Sequence, residues 1–481
     1  MTLAARLGSG FIARSESSSL TEDDIAAAAS AMSIADGDGD GDRGCTADET
    51  GDCTVREQWT VQIEAKLKKR STMRFDRARR QVESFLRDNH VSLPLSSCLS
   101  TFDGSTFDAF APDNLKYIRI CEARGVNGEI LVDDIVPLSA CVLDIHVFQD
   151  VTPAAAASED PDQGDQQTDA SRHWDLPCAE LDGQWESLVF DESLPLRLLD
   201  FVYSSLLFSD RGVDTNLVNI SRVILLHGPP GTGKTTLCRA LAQKLAIRLS
   251  DRFSFGKLVE VNSQSLFSKF FAESGKLVVQ LFQSLHDLLD DQDVFVCVLI
   301  GRCVDEVESL SAARKAAASG LEPSDAIRVV NALLTQIDRL RQRKNVLVLA
   351  TSNITEAIDV AFLDRADIKQ YIGDPSPRAI YQILSSSLAE LMHCGIIAPS
   401  VPLQTLRELD LFAESSPASS RLFAIAKRCS GMSGRSLRRL AFIAHARFVR
   451  APKTSMPRFL DAMEAAADSE MQSRKHLAQS S

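Results

Sequence analysis

The sequence predicts an α/β protein. Its centre is a phosphate-loop module with a parallel sheet and flanking helices, followed by a small helical domain and preceded by a small α/β domain. Three observations predict this. Gly228-Pro229-Pro230-Gly231-Thr232-Gly233-Lys234-Thr235 fits G-x-x-x-x-G-K-[ST], and Thr236 follows it. The loop lies between an apolar run, Val223 to Leu226, and a helical stretch, Leu237 to Leu249. Two later apolar runs, Val294 to Ile300 and Val346 to Ala350, read as buried strands, with helical periodicity between them at Ile327, Val330, Leu334, Ile337 and Leu340.

The bulk numbers set the frame. The chain has 481 residues, room for about two to four domains. Apolar residues make up 44% of it, enough for a large core. A net charge of -13 argues against a dedicated nucleic-acid coat, so direct nucleic-acid binding is not expected. The 11 cysteines show no C-x-x-C pair and no zinc spacing, and are read as reduced thiols of cytosol or nucleus. No apolar run approaches the roughly 20 residues that cross a bilayer.

Residues 1–55 read as a disordered acidic tail, with Asp36-Gly37-Asp38-Gly39-Asp40-Gly41-Asp42 at its heart. A calcium loop counted from Asp38 fails at its sixth position, where Arg43 replaces the glycine that the turn needs. Residues 56–150 read as a domain. Trp59 to Glu64 alternates like a half-buried strand. Phe75, Ala78, Val82, Phe85 and Leu86 recur at helical spacing, and Ala140 to Phe148 is a second strand. The basic run Lys66, Lys68, Lys69, Arg70, Arg74, Arg77, Arg79 and Arg80 faces phosphates, an acidic partner or only solvent. His146 reads as a packed strand residue. Residues 151–173, rich in Ala, Asp, Gln and Pro, read as a flexible linker.

The loop residues supply chemistry directly. Glycines let the backbone curl so that successive N–H groups face a phosphate chain, and the following helix adds its positive end. Lys234 reaches the β- and γ-phosphates of ATP, and Thr235 offers a hydroxyl to Mg²⁺. Hydrolysis also needs an acid to hold the metal and a carboxylate to activate water. Asp305 and Glu306, after the run that ends at Ile300, are the candidates for those two roles. Thr351-Ser352-Asn353 caps the next strand, and Asn353 is the candidate to sense the γ-phosphate or position the water.

The loop, the acids and the strand tip, in this order, resemble AAA+ ATPases. The closer resemblance is to the pachytene-checkpoint AAA+ ATPases, remodellers of HORMA-domain proteins. It is carried by Leu266-Phe267-Ser268-Lys269-Phe270-Phe271, by Glu322 to Asn331, by Asp359 to Gly373 and by Gly431-Met432-Ser433-Gly434-Arg435. Pro137 to Cys141, His173-Trp174 and Leu206 to Asp210 add to it. The resemblance implies a homo-hexamer with ATP sites between subunits. It implies an arginine finger at Arg365, although Asp364-Arg365-Ala366-Asp367 replaces the Arg-Pro-Gly-Arg run of many relatives and a structural salt bridge is the other reading. It implies that Phe270 and Phe271 line a central pore, and that Arg435 at a lid helix start senses the nucleotide. Leu437, Leu440, Ile443 and Ala444 form the packing face of that helix, with Arg438 and Arg439 solvated. It further implies HORMA-domain partners, engaged through an adaptor, no membrane, and action in the nucleus and cytoplasm in meiotic chromosome-axis control and the spindle checkpoint. The large ATPase domain is then 174–373, the helical lid 374–475 and a tail 476–481.

One departure stands out. The family runs its apolar strand directly into the acidic pair, whereas here Gly301-Arg302-Cys303-Val304 intervenes. Two other readings follow from the sequence. One is a nucleic-acid motor or loader that uses Lys66 to Arg80 on phosphates. The other is an ATP-binding scaffold that hydrolyses slowly because of the four extra residues.

Overall fold

The computed structural model describes residues 58–100, 111–151, 171–190, 193–214, 217–262, 274–301, 324–353, 360–411 and 416–480. The acidic tail, Phe270 and Phe271, expected to line a pore, and the acids Asp305 and Glu306 lie outside them. Residues from Glu57 onward form one compact unit.

The first layer is a small α/β domain. Strand β1 (Trp59–Leu67) pairs in parallel with β4 (Cys141–Phe148) and antiparallel with β3 (Leu115–Arg124), which also takes β2 (Ser97–Leu99). Helix α1 (Phe75–Asn89) lays Ala78, Val82, Phe85 and Leu86 on this sheet, as its 3.6-residue periodicity predicts. Phe75, the first apolar member of that pattern, is instead exposed. Strand β1 departs from the half-buried expectation: every residue from Val61 to Leu67 is buried. Its polar members do not meet water, because the sheet's second face is covered by the next domain.

The second layer is a six-stranded sheet in the order β10-β6-β9-β8-β7-β5. These strands are β5 (Ser171–Leu176), β6 (Val223–His227), β7 (Phe255–Asn262), β8 (Val294–Gly301), β9 (Val346–Ser352) and β10 (Ile368–Tyr371). All pairs are parallel except β5 with β7. Strand β5 begins at Ser171, so the last residues of the stretch read as linker are ordered sheet. Helices α2 (Leu194–Asp210) and α3 (Lys234–Arg248) cover one face, and α4 (Ser274–Leu289) and α5 (Ser324–Leu340) cover the other. Both faces being covered explains why β8 is a continuous apolar run, with all eight residues buried.

The third layer is helical. It contains α6 (Pro377–His393), α7 (Pro417–Arg428), α8 (Gly434–Ala444) and α9 (Met456–Ser480). Each of α6, α7 and α8 starts on a serine whose hydroxyl accepts a backbone N–H of the first turn: Ser376, Ser416 and Ser433. Leu437, Leu440 and Ala444 are fully buried in this core, as the heptad-like spacing predicts, and Ile443 packs at its edge.

Candidate active site

The site is built where β6 ends. Gly228 turns with φ +136°, and a Cβ there would collide with the carbonyl oxygen of Ile372. Gly231 has φ +83°, and a Cβ there would stand 2.9 Å from the Ser433 hydroxyl of the lid. Both positions therefore exclude side chains for conformation and for space. The loop passes directly into α3, which begins at Lys234, three residues earlier than the periodicity indicates. Loop N–H groups and the helix start thus converge on one cradle.

Lys234 is 5% exposed, and its ammonium donates to the carbonyls of Gly228 (2.7 Å) and Pro229 (2.6 Å). Thr232 Oγ1 lies 3.4 Å away. Burial lowers the Lys234 pKa to about 8. A phosphate placed in the cradle would offer the charged partner that these carbonyls only partly replace.

Three further parts meet this loop. Strand β9 lies beside β6, with Ser352 opposite His227, and the Gly228 N–H donates to Ser352 O at 3.1 Å. This places Asn353, the next residue, on the wall of a cleft of about 540 Å³ with Lys234, Thr235 and Thr236. The lid supplies the opposite wall. The Arg435 N–H donates to Gly231 O at 3.1 Å, and the Arg435 and Arg438 side chains line the cleft. Arg438 is exposed, as expected, and its guanidinium donates to the Ser187 carbonyl at the edge of the cleft. Arg439 does lie on the surface, with an ion-pair partner in Glu470 at 3.8 Å.

The third wall is the segment Leu188-Val189-Phe190, at the head of the stretch from Leu188 to Phe208 that precedes the phosphate-loop strand and that the sequence places beside an adenine pocket without fixing which residue touches the base. It borders the cleft, and Val189 and Phe190 continue into an adjoining recess of about 220 Å³ with Tyr371 and Ile372. A recess contiguous with a phosphate cradle, with Val189, Phe190 and Ile372 for a ring face and Gln370 and Asp374 for polar edges, suits a purine ring. Its residues carry no motif, since an apolar strap before a helix has no spacing that marks it. The cradle's chemistry also fits Mg²⁺: Thr235 presents a hard oxygen donor beside the ammonium of Lys234. Asp305, the other candidate ligand, lies outside the described residues, as does Glu306.

The residue matches now bear on identity. The chain matches the TRIP13 N-terminal domain over 56–152, the AAA domain (ATPase family associated with various cellular activities) over 224–374, and the TRIP13-like AAA+ ATPase lid C-terminal domain over 376–471. It is 48% identical over 431 residues to the human pachytene checkpoint protein 2 homolog, covering 88% of this chain and 96% of that one. The chain belongs to the pachytene checkpoint AAA+ ATPase family. The mouse homolog is 51% identical over 376 residues, 77% of this chain and 85% of its own. The solved structure of C. elegans PCH-2 superposes with a TM-score of 0.68 at 32% identity, covering 86% of this chain and 99% of that one. The protein is thus an AAA+ ATPase.

Arg365 does not line the cleft of its own chain. Its Nε and Nη2 donate to the two Asp338 carboxylate oxygens, each at 2.8 Å, and Nη1 donates to Ala361 O at 2.6 Å. The hydrogen bonds from Arg365, set against partial burial, lower the Asp338 pKa. Within its own chain Arg365 thus makes the salt bridge that was one of the two sequence readings.

This chain also joins its N-terminal domain to the phosphate-loop helix by buried charge. Glu64 of β1 is fully buried and meets Lys244 of α3 at 2.7 Å and Arg248 at 3.2 Å. Arg248 in turn donates to both oxygens of Glu122 on β3, at 2.8 Å for Nη2. Burial opposes ionisation of both acids, but Lys244 and Arg248 outweigh it at Glu64, and Arg248 foremost at Glu122, so both pKa values fall to about 2. Lys66, read as part of a basic surface run, is corrected as well. It is 1% exposed, with Asp150 and Asp182 each 2.7 Å from its ammonium. Lys68, Lys69, Arg70, Arg74, Arg77 and Arg80 do remain exposed. His146 is packed as expected, with Nε2 3.0 Å from Gln62 Oε1.

Proposed function

We propose that this ATPase is a remodeller that uses hydrolysis to pull open HORMA-domain proteins, presented by an adaptor on the N-terminal domain. It works as a homo-hexamer, in nucleus and cytoplasm, in meiotic chromosome-axis control and the spindle checkpoint. The observation that carries this reading is the placement of α3. Its first turn forms the phosphate cradle, and its last turns are clamped by Glu64 and Glu122 of the N-terminal domain. A change at the nucleotide is therefore tied mechanically to the domain that would hold a substrate.

The roles divide as follows. Gly228 to Thr236 bind the phosphate chain, with Lys234 on the β- and γ-phosphates. Thr235 and Asp305 are the residues that would hold Mg²⁺, which would supply positive charge against the charge that develops on the phosphates. Glu306 takes the proton of the attacking water, and Asn353 orients that water. Arg365 reaches the γ-phosphate of a neighbouring subunit once its bond to Asp338 opens. Arg435 and Arg438 connect phosphate state to lid position. Phe270 and Phe271 grip the substrate by aromatic contact, which tolerates varied side chains.

The test separates motor from grip. F270A/F271A should keep ATP hydrolysis within about twofold and abolish conversion of a HORMA-domain protein from closed to open conformer, read by ion-exchange chromatography. Conversion that persists in this variant would remove the pore from the account.

A further inference from the structure

The far end of the lid's first helix gathers donor groups that the nucleotide site does not use. Helix α6 passes the cleft at Ile383, which forms part of its wall, and ends at His393. Glu390, His393 and the capping residue Cys394 stand at i, i+3 and i+4 and so share one face. Their ligand atoms, a carboxylate oxygen, an imidazole nitrogen and the thiol sulfur, all lie within 4.8 Å of one another, and all three residues are exposed. None of them lines the cleft, and Glu390 lies about 10 Å along the axis beyond Ile383.

The backbone beneath these side chains is held. Gly395 turns with φ +72°, its N–H donates to Met392 O at 3.0 Å, and the Ile396 N–H donates to Leu391 O at 2.9 Å. These two bonds close the helix in a Schellman turn. Ile397, next in the chain, is 1% exposed and bridges to Thr454. The last turn is therefore anchored to the lid core, and rotation of exposed side chains is enough to bring the three donors together.

Charge at this end also calls for a cation. The last turn of a helix carries partial negative charge from its carbonyls, and Glu390 adds a full one. Among the described residues no Lys or Arg is ion-paired with Glu390. Its partner is the Cys394 thiol, which donates to Oε1 at 3.4 Å. Tetrahedral Zn²⁺, with bonds of about 2.0 to 2.3 Å, sets its donors about 3.4 to 3.6 Å apart. The sulfur and the carboxylate oxygen already stand at that separation.

We propose that Glu390, His393 and Cys394 form a Zn²⁺ site on the lid, with water in the fourth position. Zn²⁺ takes the place of the thiol proton, which leaves to solvent. A thiolate and an imidazole select this borderline-soft ion over Mg²⁺, so the site differs in chemistry from the hard oxygen of Thr235 in the phosphate cradle. An ion held by Glu390 and Cys394 staples the last turn of α6 to its cap.

The experiment uses the full chain, stripped of metal and kept reduced, beside C394S, H393Q and E390Q. C98S, which removes another exposed thiol, is the control. Zn²⁺ affinity is read by competition with a chromophoric chelator. Co²⁺ serves as a spectroscopic substitute whose ultraviolet charge-transfer band reports a thiolate bond. The full chain and C98S should bind Zn²⁺ at least about tenfold more tightly than each of the three lid variants, since even a supporting residue of a metal site costs that much. The thiolate band should be present in the full chain and lost in C394S, and a large excess of Mg²⁺ should displace neither ion. The altered residues are exposed, so circular dichroism should show every variant folded. A full chain that takes no Zn²⁺ from the chelator, or whose affinity is unchanged in the three lid variants, would overturn the proposal. Loss in C394S alone would mark an adventitious thiol and overturn it too.

Discussion

Lys234 shows how a single side chain links pH to nucleotide affinity. Its ammonium sits among the carbonyls of Gly228 and Pro229, and burial holds its pKa at about 8. An unfolded lysine titrates near 10.4, on the order of two units higher. Below about pH 8 the fold therefore carries the cost of a buried charge, and Lys234 makes the free chain more stable as pH rises from 8 towards 10.4. Phosphate reverses the preference by favouring the charged form. ATP affinity should be level below about pH 8 and weaken above it, by up to about tenfold per pH unit until the bound-state pKa is reached. Fluorescent-nucleotide titration from pH 6.5 to 9.5 measures this. A flat profile across that range would show that Lys234 is not held as described. This residue was legible in the sequence because its motif encodes backbone conformation and side-chain role together. Arg438 was not: it sits three residues after Arg435 on an exposed helix face, and only the fold shows that Ser187 comes to meet it.

At the scale of elements, helix α3 joins two domains. Glu64, Lys244, Arg248 and Glu122 form a chain of buried ions, and each acid is held near pKa 2 by a cation of α3. The sign follows from the depressed values. The stability that these acids contribute is present above the unfolded carboxylate range, and it is lost as pH falls from about 4.5 towards 2. E64Q leaves Lys244 and Arg248 short of a buried countercharge, and should cost about 3–5 kcal/mol in urea unfolding at pH 7. It should also flatten the acid limb between pH 4.5 and 2. A loss below about 1 kcal/mol would mean that water reaches the pair. The sequence hid this element-level contact. Gln62, Glu64 and Lys66 alternate with apolar residues just as a solvated strand face would, and their partners lie far along the chain, 180 residues on for Lys244 and 84 on for His146. No local pattern carries such pairings. The sheet strands and the lid helix α8, by contrast, announce themselves through apolar runs and a serine cap.

For the whole molecule, two layers and a connecting strap share one cleft: the P-loop and the tip of β9 from the sheet, Arg435 and Arg438 from the lid, and the strap at Leu188 to Phe190. The order of motifs made the ATPase core and lid readable, because each motif is contiguous. Which residues of the stretch from Leu188 onward wall the cradle was not readable, because apolar strap residues are defined only by what they fold against. The measurement that tests the central claim most directly follows ATP hydrolysis and HORMA-domain conversion together, in the full chain and in K234A. The account predicts that the full chain does both and that both vanish in K234A. Hydrolysis by the full chain with no conversion, or conversion that persists in K234A, would contradict it.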